Sequence, residues 1–305
     1  MTLLSPAERS RLDALDLASR KLLRGGLQGE RRAKQKGQSV EFADFRPYTV
    51  GDDLRRIDWN LYARLDKLIL RLFLEEQDLA LTVLIDVSPS MAEGQPSGTD
   101  PPEKLLAAKR IAAALGYLAL SRMNRLAVHG FHDGLTDGIS GLRGRRPIPR
   151  LLAFLEGLRS AEGPGDLGRS LFDLARRHPR AGVVLVISDL LDKPSGGRLE
   201  EALKPLAAQR FDAHVLHLLS PAELDPASAG ITGDLRLTDR EDGDAAEVSA
   251  TPQLLRRYRQ TLDAFCAGAR SACLRRGVSY GRVSSADPLE SGVLPVLRAG
   301  GLVRA

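Results

Sequence analysis

The chain has 305 residues, of which 43% are hydrophobic and 27% charged, with a formal net charge of +5. Such a chain holds a substantial buried core, and its composition excludes a disordered or collagen-like protein. With no basic stripe interleaved with aromatics, no apolar run of spanning length and no signal-type core, the expectation is a soluble cytoplasmic protein that takes no nucleic acid and has no membrane span.

Residues 7–23 predict an amphipathic helix with Leu12, Leu15, Leu22 and Leu23 near one face. Residues 24–36 are Gly-rich and basic, with Arg24, Arg31, Arg32, Lys34 and Lys36, and read as a solvated loop or, more sharply, a partner-binding patch. Residues 42–64 alternate charges of both signs with Phe42, Phe45, Tyr48, Ile57 and Trp59. They predict a folded arm held by Arg–Asp pairs and anchored on the core by a buried Trp59. Neighbouring arginines would keep Asp52, Asp53 and Asp58 ionised, which disfavours them as acid–base catalysts. Residues 67–75 alternate as a half-exposed strand should.

The stretch from Leu79 to Met91 reads LALTVLIDVSPSM. Its β-branched apolar run suits a strand buried on both faces. The run stops at Asp86, followed by Ser88 and Ser90. Three oxygen-bearing side chains alternating at a strand end suit a hard divalent cation. The same residues also suit a turn or helix cap.

Asp86-Val87-Ser88-Pro89-Ser90 resembles the first motif of the metal-ion-dependent adhesion site of von Willebrand factor A-like domains. Ahead of it stand Arg46-Pro47-Tyr48-Thr49-Val50-Gly51-Asp52-Asp53, Arg55-Arg56-Ile57-Asp58-Trp59 and Ala63-Arg64. That series resembles the bacterial family called domain of unknown function 58, from about Gly37 onward. The resemblance implies a von Willebrand A-like protein that works beside a MoxR-type AAA+ ATPase. Many relatives carry transmembrane helices ahead of the signature; this chain starts close to it.

Residues 92–102 read as a loop rich in Gly, Pro and Ser, and residues 103–124 as a long helix entered after two prolines. A strand at 125–131, a polar hairpin-like segment to about 144 and a helix at 149–158 follow. After the turn 161–165 comes a helix at 166–177. Residues 183–188, VVLVIS, are a second fully apolar strand, ending at Asp189. A helix at 199–209 and a strand at 213–219 continue the alternation. Asp242-Gly243 marks a hairpin between 235–238 and 246–248, expected to pair with the 67–75 strand or the arm. A helix at 251–275 carries Cys266 and Cys273 on one face as packed thiols. A strand at 278–283 and a helix at 289–298 complete the reading.

Alternating buried strands and helices predict an α/β, doubly wound, mostly parallel sheet with helices on both faces, here von Willebrand A-like. The expected organisation is an N-terminal helix and signature arm packed on the core (1–78), the α/β domain (79–220), a small β-hairpin addition (221–250) and a completing helix–strand–helix (251–305).

In such sheets, ligands bind at the carboxyl ends of strands where strand order reverses. The expected metal site is therefore Asp86, Ser88, Ser90, Asp166 and Asp189, holding Mg²⁺. The resemblance assigns direct ligation to the serine hydroxyls. It also implies a threonine hydroxyl where this chain has Gly165, so the site is incomplete; Asp166 is alternatively the N-cap of its helix.

Other chemistry is thinned by the sequence. There is no G-x-x-x-x-G-K-[ST] loop for nucleotide hydrolysis. His129 with His132, and His214 with His217, are each spaced to opposite faces of a strand, which disfavours zinc. Ser88 has no histidine near it in sequence to activate it as a nucleophile. The expected function is a non-enzymatic interaction or adaptor module, with an Asp or Glu of a client protein completing the metal shell. The rival readings are an Mg²⁺-dependent hydrolase using Asp86 and Asp189, and a scaffold with a dead metal site.

Overall fold

The computed structural model describes residues 3–19, 41–49, 54, 57–74, 79–92, 104–163, 165–177, 182–191, 199–209, 211–231, 233–238 and 245–304. Two units are distinguished: residues 28–78, and residues 1–27 with 79–305.

Helix α1 (Pro6–Leu12) starts on a capping box. The Ser5 hydroxyl accepts from the Glu8 N–H, and the Glu8 carboxylate accepts from Ser5. That closes two orphan helix-end donors at once. The helix ends well short of residue 23. Leu15, expected on its face, is still buried, and Asp16–Leu17 forms a short strand, β1, with Leu17 buried as well. Leu22 and Leu23 lie outside the described residues.

The small unit is a sheet rather than an irregular arm. Strand β2 (Glu41–Pro47) pairs antiparallel with β3 (Ile69–Leu74). Between them is helix α2 (Trp59–Leu65). Its N-cap is Asp58, whose carboxylate accepts from the N–H groups of Asn60 and Leu61 at 3.0 and 3.1 Å. Asp58 is thus a buried cap and not a free base. The expectation of a buried Trp59 is corrected. The ring is 58% exposed and meets Tyr62 edge-on, because no residue of α2 is buried. Asp52, Asp53 and the basic stretch 24–36 lie outside the described residues.

The larger unit is built on strands β4 (Ala80–Asp86), β5 (Arg125–His132), β6 (Gly134–Arg143), β7 (Val183–Ser188) and β8 (Asp212–Leu219), with others to follow. Helix α3 (Lys104–Ser121) joins β4 to β5; α4 (Ile148–Gly157) and α5 (Leu167–Arg177) lie between β6 and β7. The expected helix at 199–209 is split into α6 (Leu199–Ala202) and α7 (Lys204–Ala208), with Pro205 in the first turn of the second. Helix α8 (Pro221–Leu224) precedes the hairpin of β9 (Gly233–Thr238) and β10 (Ala245–Ala250). Those two strands pair antiparallel with each other. Helix α9 (Pro252–Arg275), strand β11 (Ser279–Ser284), helix α10 (Leu294–Ala299) and strand β12 (Val303–Arg304) follow. Cys266 and Cys273 are free and buried on α9.

The central sheet has six strands in the order β11-β8-β7-β4-β5-β6. All neighbours are parallel except the edge pair β5–β6. The chain runs outward from β4 through β5 and β6, then returns to β7 on the other side. Strand order therefore reverses at β4.

Side chains alternate across the sheet. Leu81, Val83 and Ile85 pack toward Leu115 and Leu118 of α3 and Leu151 of α4. Leu84, Val184 and Val186 pack toward Leu171 and Leu174 of α5 and Cys273 of α9. Helices thus cover both faces, and each fully buried leucine contributes roughly 1.5–3 kcal/mol. Gly116 lets α3 and α4 close up, since a Cβ there would stand 2.5 Å from Leu151 Cδ2.

Candidate functional site

Strands β4 and β7 pair in parallel with Ile85 opposite Ile187, so the next residues, Asp86 and Ser188, meet at the carboxyl edge. This is where strand order reverses and where sheets of this kind leave a crevice. The Asp86 side chain is buried. Its Oδ1 accepts from the Ser88 N–H at 2.9 Å, and its Oδ2 accepts from the Ser188 hydroxyl at 2.5 Å. The Ser188 oxygen in turn accepts from the Leu190 N–H at 2.9 Å. Leu190 takes a left-handed φ of +57°, a conformation that costs an L residue roughly 1–2 kcal/mol and that the Ser188 contact holds in place.

After Asp86 the chain enters a 3₁₀ turn, Pro89–Ala92. The Ser88 and Ser90 hydroxyls lie 3.0 Å apart and bond to each other. The Val87 carbonyl accepts from the Ala161 N–H at 2.6 Å, bringing the 158–163 segment to the same edge. Beside it is a recess of about 420 Å³, lined by Val87, Thr136, Phe154, Leu158, Arg159 and Ala161 among others.

Asp189 stands one residue beyond β7 and is also buried. Its Oδ1 accepts from the Leu191 N–H at 3.1 Å, and its Oδ2 accepts from the Lys104 ammonium at 2.7 Å. Lys104 also donates to Glu223 Oε1 at 2.5 Å. The Lys104 and Asp189 side chains are 0% exposed, and that of Glu223 is 14% exposed. Glu223 belongs to the capping box of α8: its Oε2 accepts from the Ser220 N–H, and its own N–H donates to the Ser220 hydroxyl. Burial pulls the Lys104 ammonium toward neutrality, but Asp189 and Glu223 outweigh it and hold the charge firmly above its ordinary range. Nearby His217 is pushed down to about 4 by burial, so its imidazole is neutral near pH 7. Its Nδ1 lies 2.7 Å from the Tyr280 hydroxyl.

Asp166 stands at the end of β5, where its N–H donates to the His132 carbonyl. Its Oδ1 accepts from the Arg169 N–H at 2.9 Å, the role of a cap on α5. Gly165 is buried, and within its turn the left-handed φ belongs to Gly163.

Of the five expected ligands, Asp86, Ser88 and Ser90 are together. Asp189 is next to them in the sheet but turned to Lys104, and Asp166 caps α5. Three participants were not read from the sequence: Ser188, Lys104 and Glu223. The Ser220-Pro221-Ala222-Glu223 capping box was a readable signal for the last. For Lys104 the signal was a lysine on the first turn of a mostly apolar helix.

Mg²⁺ asks for near-octahedral oxygen ligands. As arranged, these residues do not fit it. Both Asp86 oxygens accept protein donors, Asp189 is ion-paired, the two serine hydroxyls bond to each other, and Gly165 brings no hydroxyl. Among the described residues, no three His, Cys, Asp or Glu side chains converge as a metal-binding group.

Residues 44–264 match the family described as "Protein of unknown function DUF58". Uncharacterized protein Rv1480 of Mycobacterium tuberculosis and uncharacterized protein Mb1516 of Mycobacterium bovis are each 28% identical over 251 residues, covering 82% of this chain and 76% of the relative. Among solved structures, the conserved hypothetical protein BatB from Bacteroides thetaiotaomicron aligns at TM-score 0.38 and 18% identity, covering 68% of this chain and 90% of BatB. An uncharacterized membrane spanning protein from Vibrio fischeri aligns at TM-score 0.24 and 13% identity, covering 72% and 97%. Among the described residues of the present chain, no helix is long and apolar enough to cross a membrane.

Proposed function

The chain belongs to the DUF58 family, and we propose that it is a non-enzymatic interaction module of von Willebrand A-like fold with a degenerate metal-ion-dependent adhesion site. In this reading it binds protein partners at the carboxyl edge of the sheet and works with a MoxR-type AAA+ ATPase in the assembly or maturation of a client. The ATPase enters through the resemblance of the signature residues 46–64. The edge reading is carried by one observation: the ends of β4 and β7 meet where strand order reverses, with their acids consumed as hydrogen-bond acceptors. A buried carboxylate that already accepts two donors is a poor general base, and neutral, buried His217 offers no exposed alternative. What the edge does offer a partner is the half-buried 3₁₀ turn and the recess beside Val87, with Arg159 exposed at its rim.

Purified full-length chain should bind a purified MoxR-type ATPase in a surface-based binding assay. Arg159→Glu, at the exposed rim, should weaken that binding at least tenfold while leaving the thermal midpoint unchanged. Robust turnover of ATP or of a phosphate ester by the chain alone, lost on Asp86→Ala, would reverse the reading in favour of a hydrolase.

A further inference from the structure

Lys104 opens α3, and most of the helix beyond it is buried and apolar. Its own side chain is as buried as its neighbours, which for an ammonium is strongly unfavourable without partners. The partners come from far along the chain: Asp189 at 2.7 Å, from the end of β7, and Glu223 at 2.5 Å, from α8. One cation gathering carboxylates from separate segments is the work a divalent ion performs in an oxygen-lined site. Here it is done at the edge of the sheet where the donor set does not suit Mg²⁺.

We infer that the Lys104 ammonium is the resident cation of this edge, supplied by the chain itself in place of a divalent ion. It ties the start of α3 to the end of β7 and to α8, so the edge is assembled without metal. An ammonium directs its protons to fixed acceptors and has no vacant coordination position. A partner's Asp or Glu would therefore not be drawn here to complete a metal shell. The inference concerns the unliganded chain and holds whatever binds at the edge, so its test needs no partner.

The test is thermal melting of the full chain in EDTA and in millimolar Mg²⁺ or Mn²⁺, with Mn²⁺ calorimetry alongside. Wild type should melt at one temperature in all three and give no heat of Mn²⁺ binding. Lys104→Ala should melt lower and recover part of the loss with either ion, because it leaves two carboxylates around a vacated volume. Lys104→Met, which fills that volume, should melt lower and not recover. The neutral set Lys104→Met with Asp189→Asn and Glu223→Gln should melt above Lys104→Met alone, since it removes the two carboxylates that Lys104→Met leaves without their cation. A wild-type midpoint that rises with Mg²⁺ and falls in EDTA would overturn the inference, and this comparison stands even if a variant fails to fold. So would single variants that melt like wild type, or a neutral set no more stable than Lys104→Met.

Discussion

Asp86 and Asp189 end two neighbouring apolar strands of one sheet, and both carboxylates are buried. Asp86 is met by a main-chain N–H and a serine hydroxyl that arrive from within two residues and from the adjacent strand. Asp189 is met by an ammonium from another helix, itself shared with a third segment. The first end is a local turn that the strand makes for itself. The second is a junction, holding α3 and α8 to the sheet. Burying a carboxylate is tolerable in either way, but the cost of losing it differs, because a neutral donor left alone costs less than an ammonium left alone.

That difference sets the first prediction. Asp189→Ala should destabilise by about 3–5 kcal/mol, by taking a carboxylate away from a buried ammonium. Asp86→Ala should cost less, about 1–3 kcal/mol, the penalty of an unsatisfied hydroxyl and amide. Chemical denaturation of both variants measures the gap, and equal losses would erase the distinction drawn between the two ends.

Two predictions sharpen it. His217 has a folded-state pKa of about 4, below its ordinary value of 6.5. Between these values the unfolded chain binds the proton and the folded chain does not, so stability is complete above about pH 6.5 and falls as pH drops toward 4. Denaturation of wild type and His217→Gln across that window should show a steeper decline in wild type. Salt separates buried from exposed pairing. A double-mutant cycle on Lys104 and Asp189 should give the same coupling at about 0.1 M and about 1 M salt. The pair Arg169–Asp133, whose side chains are 60% and 57% exposed, should couple by no more than about 1 kcal/mol and lose that at high salt.

The smallest effect is expected away from the sheet. Trp59→Ala should change stability by no more than about 0.5 kcal/mol, since the ring is 58% exposed. A loss of several kcal/mol would mean that the ring is covered in solution.

The strands were legible because an apolar, β-branched run is a local signal, and so was the aspartate at the end of each. Cys266 and Cys273 were readable as packed thiols from helical spacing alone. The partners of the two aspartates were not equally legible. Ser188 is next to Asp189 in the sequence, and parallel pairing turns it toward Asp86. Lys104 is separated from Asp189 by 85 positions and from Glu223 by 119, and no periodicity links them. The same limit explains α1. Leu12 and Leu15 announce burial, but only the distant segment 303–304 decides that residues 16–17 are a strand. Of the expected ligands, Asp166 had two readings from sequence, and its hydrogen bond to Arg169 places it in the cap.

The pairing of β1 with β12 has a consequence for how the molecule assembles. Strand β1 meets β12 with Leu17 opposite Val303, both buried, and the Ala18 N–H donates to the Leu302 carbonyl. Closing so long a loop adds little entropy cost beyond that of a moderate one, because the cost grows with the logarithm of length. Its cost is in time, since contacts of great sequence separation slow folding. During synthesis Leu17 is made long before its strand partner at residue 303. Amides 16–18 and 302–304 should therefore gain protection together and late in pulsed hydrogen exchange, as a clasp that closes over a core already formed.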